Sequence, residues 1–226
     1  MICMNKHVVV IYPHPDDESF GAAGSILQFR EEGIPVTYLC GTLGEMGRNM
    51  GKPNIASRET LPQVRKEELK RACEVLDINL EMLGYRDKTL EFEDRNMVAL
   101  HLKEFLDKIQ PHLVITHYPE HAVHPDHNAL GAAAIQAVQM MEEGDRPEVW
   151  AQAITNDFLE VLGTPEVIND ISKHSEKKME AIFCHASQAN GVLSQFKQRE
   201  TLDPRIENEV QRRFSIEQFY IWKFTD

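Results

Sequence analysis

Two short stretches of this sequence carry side chains that bind divalent metals and move protons. Residues 14–18 read His-Pro-Asp-Asp-Glu, and residues 124–127 read His-Pro-Asp-His. Each stretch follows a run of apolar, β-branched residues of the kind that forms a buried strand. Histidines and carboxylates are unfavourable in a protein core. Because they stand here at the ends of buried strands, both stretches are candidates for the edge of an active site.

The predicted metal ligands are His14, Asp17 and His127. Two histidines and one carboxylate leave a coordination position open, which is typical of a catalytic zinc site rather than a structural one. His14 and Asp17 are three residues apart in a turn that Pro15 stiffens, because proline fixes its own φ. We therefore expect one zinc ion per chain, although the same ligand types also accept iron(II).

The remaining polar residues of the two stretches suit acid–base chemistry. Asp16 neighbours a ligand without reaching the metal on the same side, so we expect it to act as a general base toward water. His124 would stabilise an oxyanion as an imidazolium or protonate a leaving amine, and Asp126 would hydrogen-bond His124 and hold its tautomer and charge. With metal activation of water, these roles predict hydrolysis of an amide or a similar acyl bond.

Taken singly, an Asp-Asp turn or a histidine is more often a helix cap or an ordinary surface residue than part of a site. It is the pairing of two such stretches, each at the end of a buried strand, that favours the functional interpretation. The nearby His117 and His121 are predicted to lie behind the ligands or in the loop. The remaining histidines at strand or helix positions are expected to be structural: His7, His101, His112 and His174.

Strands and helices alternate along the part of the chain that must position these residues. Strands are predicted at 7–12, 36–40, 80–83 and 113–116, with weaker candidates at 149–155, 167–171 and 218–224. Helices are predicted at 20–32, 61–76, 98–109, 126–143 and 173–185. Strand–helix–strand units of this kind form parallel sheets with right-handed crossovers. We predict an α/β fold with a Rossmann-like, mostly parallel sheet and helices on both faces, in a single domain over residues 1–226.

In such a sheet, ligands bind beside the carboxyl ends of the strands. The ends of the first and fourth predicted strands would therefore bring the two stretches together. The glycine-punctuated segment 41–57 leaves the second strand at the same edge, and we expect it to form a wall or a lid of the site. An ordinary solvated loop is the alternative for that segment.

Composition limits the partners and the location of the protein. A formal net charge of −12 argues against binding to nucleic acids and to anionic membranes. No apolar run approaches the ~20 residues of a membrane span, and residues 1–6 lack the layout of a signal peptide. The cysteines form no C-x-x-C pair, which favours reduced thiols in a cytoplasmic protein. They are Cys3, Cys40, Cys73 and Cys184.

Residues 14–18 and 124–127 resemble the two signature motifs of the PIG-L/LmbE-like zinc-dependent N-deacetylases. The resemblance covers most of the chain, and segments 64–69 and 185–188 support it more weakly. The family's first motif usually opens with alanine, where this chain has Pro13. The resemblance implies a Rossmann-like fold, the same metal ligands and acid–base residues as above, and removal of the acetyl group from an N-acetylglucosamine conjugate.

The resemblance also implies contacts with an amino-sugar glycoside. Glu18 would lie near the sugar hydroxyls, and Arg65 would contact the aglycone. The loop at 44–51 is similar to that of family members in bacillithiol biosynthesis, which implies N-acetylglucosaminyl malate as the substrate. Arg48 and Arg86, on strand-end segments, are then further candidates to bind the malate carboxylates, since arginine–carboxylate pairs orient a ligand strongly.

Several alternatives remain at the level of sequence. A member of the same family could act on another N-acetylglucosamine conjugate or on an S-conjugate. The ligand set also matches the facial triad of non-heme iron(II) enzymes, and a non-catalytic sugar- or nucleotide-binding module could share the fold. A dinucleotide enzyme is disfavoured because no G-x-G-x-x-G follows the first strand. A homo-oligomer is left open.

Overall fold

The computed structural model describes residues 6–189 and 214–224; Cys3 lies outside them. Within these residues the strands are β1 (Val8–Tyr12), β2 (Val36–Cys40), β3 (Asn79–Met82), β4 (Leu113–His117), β5 (Glu148–Gln152), β6 (Val167–Asp170) and β7 (Ile216–Ile221). The α-helices are α1 (Ala23–Glu31), α2 (Leu61–Leu76), α3 (Arg95–Ile109), α4 (Pro125–Gln139), α5 (Phe158–Leu162) and α6 (Ser175–Cys184). A short π-helix, Glu18–Ala22, precedes α1.

The strands form one sheet in the order β3-β2-β1-β4-β5-β7-β6. The five strands from β3 to β5 in that order are parallel, and β7 runs antiparallel to both β5 and β6. At the centre, Ile11 of β1 pairs with Leu39 of β2 and with Thr116 of β4. The predicted mostly parallel α/β sheet is confirmed, and β1 and β4 are direct neighbours.

Helices cover both faces of the sheet, as predicted. On one face, Val8, Val10 and Tyr12 of β1 pack in a cluster with residues of α1, α2 and α6. On the other face, Val9 and Ile11 pack in a cluster with residues of α3 and α4. Every residue of β1 is buried, which explains why its sequence is apolar throughout instead of alternating.

Most predicted elements lie within one to three residues of their observed bounds, and three differences have local causes. The helix predicted to reach residue 143 ends at Gln139, because Glu142 adopts an extended backbone and Arg146 hydrogen-bonds the carbonyls of Gln139 and Met141. The helix predicted from residue 20 begins as the π-helix. Helix α5 was not predicted, since its five residues are too few for a period to show.

Among the described residues no helix has both the length and the apolar character needed to span a membrane. Cys40, Cys73 and Cys184 are free thiols. Burial raises the pKa of Cys40 and Cys73, which makes both poor nucleophiles. The single-domain organisation over 1–226 stays a prediction.

Candidate active site

The two metal-capable stretches meet where β1 and β4 end. His14 lies in the turn after β1, and His127 lies in the first turn of α4, which follows β4. Although 113 residues separate them in sequence, Nδ1 of His14 and Nε2 of His127 are 3.1 Å apart. The parallel neighbours β1 and β4 therefore bring the two predicted ligands together, as the strand-end argument requires.

Asp17 completes the predicted group of three. Its Oδ2 lies 3.4 Å from Nδ1 of His14, and its Oδ1 lies 3.3 Å from Nε2 of His127. Zinc bonds of about 2.0–2.1 Å at tetrahedral angles would place neighbouring ligand atoms roughly 3.3 Å apart. The three side chains are only 10–13% exposed. One ligand atom from each side chain lies within 4.8 Å of the other two, so their spacing and chemistry fit one divalent metal ion.

Hydrogen bonds on the far side of each ring set the tautomers that such an ion needs. Nδ1 of His127 donates to the carbonyl of Ala122 at 3.0 Å. Nε2 of His14 lies 3.3 Å from Oδ2 of Asp126 and 3.2 Å from Oδ1 of Asp87. These contacts leave the other nitrogen of each ring free to direct a lone pair at the shared point, which is the usual arrangement behind metal-binding histidines.

Three carboxylates surround His14, so positive charge is stabilised at this position. Burial lowers the pKa of His14, but hydrogen bonds to Asp126, Asp17 and Asp87 outweigh burial and raise that pKa well above its usual value. Oδ1 of Asp126 is buried and has no hydrogen-bond partner in the described structure. Buried carboxylates are stable only when they are paired or bind a cation. A divalent metal ion would supply the charge that this group of acids lacks.

Asp126 does not hold His124 in the way the sequence suggested. Its Oδ2 accepts from the backbone N–H of Lys88 at 2.7 Å and faces His14. His124 is the N-cap of α4, and its Nδ1 accepts from the backbone N–H of Asp126 at 3.2 Å. The expectation is wrong because α4 begins at Pro125, which turns the Asp126 backbone toward His124 and its side chain toward His14.

This geometry also decides the charge of His124. Because Nδ1 accepts a backbone hydrogen bond, the ring is the neutral tautomer with its proton on Nε2. Burial lowers the pKa of His124, and His14 and His127 lower it further. The structure therefore favours a neutral donor at this position over the imidazolium expected from sequence.

Asp16 occupies a strained position at the same edge. Its φ is 106°, a region that residues other than glycine rarely adopt. Its Oδ2 lies 3.2 Å from Nη2 of Arg65. Burial raises the pKa of Asp16 to about 6, although Arg65 opposes the shift. A carboxylate with a pKa near 6 is ionised at neutral pH and is a better proton acceptor than an ordinary aspartate.

Arg65 is not placed for the aglycone contact that the resemblance implied. It is 4% exposed, and its guanidinium donates to the carbonyls of Gly44 and Pro15 as well as to Asp16. Gly44 has φ of 61°, and a Cβ there would overlap the Arg65 guanidinium. Arg65 is thus a buried support of the Asp16 turn, and the glycine loop closes over it.

Glu18 is not placed for contact with sugar hydroxyls either. It is fully buried. Its Oε1 accepts from Nε2 of His185 and from Oγ of Ser19, both at 2.7 Å, and its Oε2 accepts from the backbone N–H of Asp16 at 3.0 Å. The side chain points behind the catalytic turn because Glu18 opens the π-helix, whose next residue, Ser19, is also buried.

The start of segment 41–57 forms a wall of the site, one of the two roles expected for it. The backbone N–H of Met46 donates to Oδ2 of Asp87 at 2.8 Å, and the N–H of Asp87 donates to Glu45 at 3.0 Å. Asp87 was not predicted as a site residue. It follows β3 at the same sheet edge, and this position after a strand is the sequence signal that points to it, as for the residues after β1 and β4. Arg48 and Arg86 flank this wall and are exposed.

His117 and His121 lie around the ligands and outside the group of three. The His117 ring stacks on His127, with ring centroids 4.0 Å apart and planes 9° from parallel. Burial lowers the pKa of His117 well below its usual value, so this ring stays neutral beside the ligand. Gly131 lets α4 approach the carbonyl of His117, where a Cβ would clash. His121 contributes its backbone carbonyl, which accepts from Ile154 and Thr155.

Comparison with known proteins finds relatives that cover most of the chain. Residues 9–138 match the family model described as PIG-L, GlcNAc-PI de-N-acetylase. A Bacillus cereus relative, "Probable N-acetyl-alpha-D-glucosaminyl L-malate deacetylase 2", is 46% identical over 225 residues, covering 98% of this chain and 100% of its own. A Bacillus subtilis relative of the same name is 51% identical over 197 residues, covering 87% and 89%.

The chain is also similar to a solved deacetylase structure. The N,N'-diacetylchitobiose deacetylase of Pyrococcus horikoshii superposes with a TM-score of 0.73 at 25% identity, covering 96% of this chain and 84% of that one. Both metal-capable stretches fall inside the residues that match the family model, whereas His185 falls outside them.

Proposed function

Because this chain belongs to the PIG-L family of N-deacetylases, we propose that it is a zinc-dependent hydrolase acting in bacillithiol biosynthesis. The reaction removes the acetyl group of N-acetylglucosaminyl malate and yields acetate and glucosaminyl malate. The observation that carries the proposal is the convergence of His14, Asp17 and His127, with Asp16 next to Asp17 in the chain.

The metal is assigned from the donor set. Two imidazoles and one carboxylate suit zinc, and the same three could accept iron(II). A zinc ion held by His14, Asp17 and His127 would supply Lewis acidity, which lowers the pKa of a water molecule and polarises a carbonyl.

The remaining residues handle protons and charge. Asp16 takes a proton from the water as it attacks the acetamide carbon, and Arg65 holds the Asp16 carboxylate in place. The Nε2–H of His124 donates to the carbonyl oxygen as negative charge develops on it. The C–N bond then breaks, and the amine leaves with the proton that Asp16 accepted. One hydrogen of the water thus ends on the amine, and its remaining O–H group becomes part of the acetate product.

Substitutions at His124 and Asp126 should separate these roles. His124→Ala is expected to lower kcat by about 10²-fold and to leave metal content unchanged, because it removes one donor to the oxyanion. Asp126→Asn is expected to lower metal affinity by about 10- to 100-fold, because it removes a carboxylate behind a ligand. Metal titration measures the metal affinity of both variants, and steady-state kinetics measures their kcat. If Asp126→Asn binds metal normally and only kcat falls, the assignment of Asp126 to His14 is wrong.

The malate aglycone is proposed from the named relatives and from the arginines at the rim. Acetate release should be compared for N-acetylglucosaminyl malate, free N-acetylglucosamine, diacetylchitobiose and an N-acetylglucosamine S-conjugate. We expect the highest kcat/KM with the malate glycoside, since arginine binds carboxylates with strong orientation. A higher kcat/KM with an uncharged substrate or with the S-conjugate would reassign the substrate within the family.

Arg48 and Arg86 provide a second part of the same experiment. We propose that they bind the malate carboxylates. Arg48→Ala and Arg86→Ala should therefore raise KM for the malate glycoside and leave KM for free N-acetylglucosamine unchanged. Arg58→Ala is the matched control, because Arg58 is an exposed arginine just after segment 41–57 that donates to the carbonyl of Gly47.

A nucleotide-binding module is disfavoured by the start of α1. In dinucleotide-binding folds, the helix after the first strand offers its N-terminal N–H groups to phosphate. Here the N–H groups of Gly24 and Ser25 donate to the carboxylate of Glu217 at 2.8 and 2.7 Å. An acidic side chain already occupies the position that a phosphate would need.

A further inference from the structure

We propose that His185 is a positioning residue, which acts through Glu18 to hold the Asp16 turn in its reactive geometry. The inference rests on the proposed function, because it takes Asp16 as the general base. Neither Glu18 nor His185 is exposed, so neither can touch a substrate. Their effect on the reaction has to pass through the turn that they support.

The Asp16 turn needs an external support because its backbone is strained. A φ of 106° is unfavourable for a residue with a Cβ, and such a conformation persists only when surrounding contacts impose it. The carbonyl of Asp16 accepts from the N–H groups of Ser19 and Phe20 at 3.0 and 2.9 Å. The N–H of Asp16 donates to Oε2 of Glu18 at 3.0 Å. Glu18 is thus the side chain that holds the amide side of the strained residue.

Glu18 in turn depends on His185. A fully buried carboxylate is stable only when donors surround it. Oε1 of Glu18 accepts from Nε2 of His185 at 2.7 Å and from Oγ of Ser19 at 2.7 Å. Removing the imidazole would leave the buried carboxylate short of a donor. Glu18 would then turn toward another partner and release the N–H of Asp16.

The segment that carries His185 is also held at a second point. It follows α6, and the N–H and Oγ of Ser187 donate to the two carboxylate oxygens of Glu68 on α2, at 2.8 and 2.6 Å. Ser187 and His185 are equally buried. Of these two residues, His185 is the one that hydrogen-bonds Glu18. Ser187→Ala is therefore a matched control for losing a buried hydrogen bond from this segment.

The test is a set of kinetic measurements on His185→Ala, His185→Gln and Ser187→Ala, made with the zinc-loaded full chain and N-acetylglucosaminyl malate. We expect His185→Ala to lower kcat by about 10- to 100-fold, because small displacements of a catalytic group cost that much. KM and zinc content should not change. His185→Gln should recover most of the activity, since its amide can donate to Glu18, and Ser187→Ala should match the wild type.

A double-mutant cycle with Asp16→Asn separates positioning from general destabilisation. If His185 acts through Asp16, adding His185→Ala to Asp16→Asn should cause no further loss of kcat. A further loss equal to that in the wild-type background would overturn the proposal, and so would a normal kcat in His185→Ala. Should His185→Ala fail to fold, Glu18→Gln takes its place in the cycle with the same expectations. Full turnover in Asp16→Asn itself would remove the general-base assignment on which this inference rests, whereas a wild-type enzyme that releases no acetate would refute the proposed function.

Discussion

Asp16→Asn is expected to lower kcat for N-deacetylation by about 10²–10⁴-fold and to leave zinc content unchanged, as removal of a general base does. Asp16 is not among the three residues whose atoms converge on the metal point. Asp16 precedes the ligand Asp17 in the chain, Arg65 supports its carboxylate, and burial raises its pKa to about 6. An amide of the same shape keeps the hydrogen bond from Arg65 but cannot take a proton from water.

The measurement is kcat together with zinc stoichiometry on the same purified samples. Asp77→Asn is the matched control, because Asp77 is an exposed aspartate that also pairs with an arginine, Arg30, away from the site. We expect the control to equal the wild type in both quantities. Wild-type turnover by Asp16→Asn would remove the general-base assignment, and loss of zinc in that variant would make Asp16 a ligand.

His127→Ala is expected to abolish zinc binding and turnover together. The imidazole is one of three ligand groups, each of which has an atom within 3.1–3.4 Å of each of the other two. Without it, His14 and Asp17 remain, and two ligands from one turn hold zinc weakly. Bound metal should be measured by elemental analysis after gel filtration, alongside acetate release.

His121→Ala is the control for that experiment. His121 lies on the loop that leads into α4 and contributes its backbone carbonyl to the fold, which the substitution leaves in place. We expect His121→Ala to keep one zinc per chain. A variant His127→Ala that retains stoichiometric zinc would show that the metal is held elsewhere.

The sequence predicted the sheet and the meeting of the two stretches because both depend on strong, local patterns. The apolar runs at β1, β2 and β4 are continuous, as expected for strands buried on both faces. Once these strands are parallel neighbours, their carboxyl ends share an edge. The approach of His14 to His127 across 113 residues then follows from topology alone.

The directions of individual side chains did not follow from such patterns. Asp126 faces His14 because α4 begins at Pro125, and a shift of one residue in that start would turn the carboxylate elsewhere. Glu18 points inward because the backbone of Asp16 takes a positive φ and a π-helix follows. Arg65 is buried because Gly44 leaves room above it. Each outcome depends on a local backbone conformation that residue types do not specify.

Contacts between distant segments were also beyond the sequence. His185 meets Glu18 across 167 residues, and Ser187 meets Glu68 across 119. Segment 185–188 resembles the family pattern, but its contact partners depend on how α6 packs against α2, which the sequence does not specify. The same holds for the stacking of His117 on His127, which needs the close approach of α4 to β4 at Gly131.

The most direct test of the account uses metal-free enzyme and N-acetylglucosaminyl malate in the absence of oxygen. Adding one equivalent of zinc should restore turnover, with acetate and the free amine released in equal amounts. Failure to release acetate with zinc, or turnover that appears only when iron(II) and oxygen are both supplied, would contradict a zinc-dependent N-deacetylase at His14, Asp17 and His127.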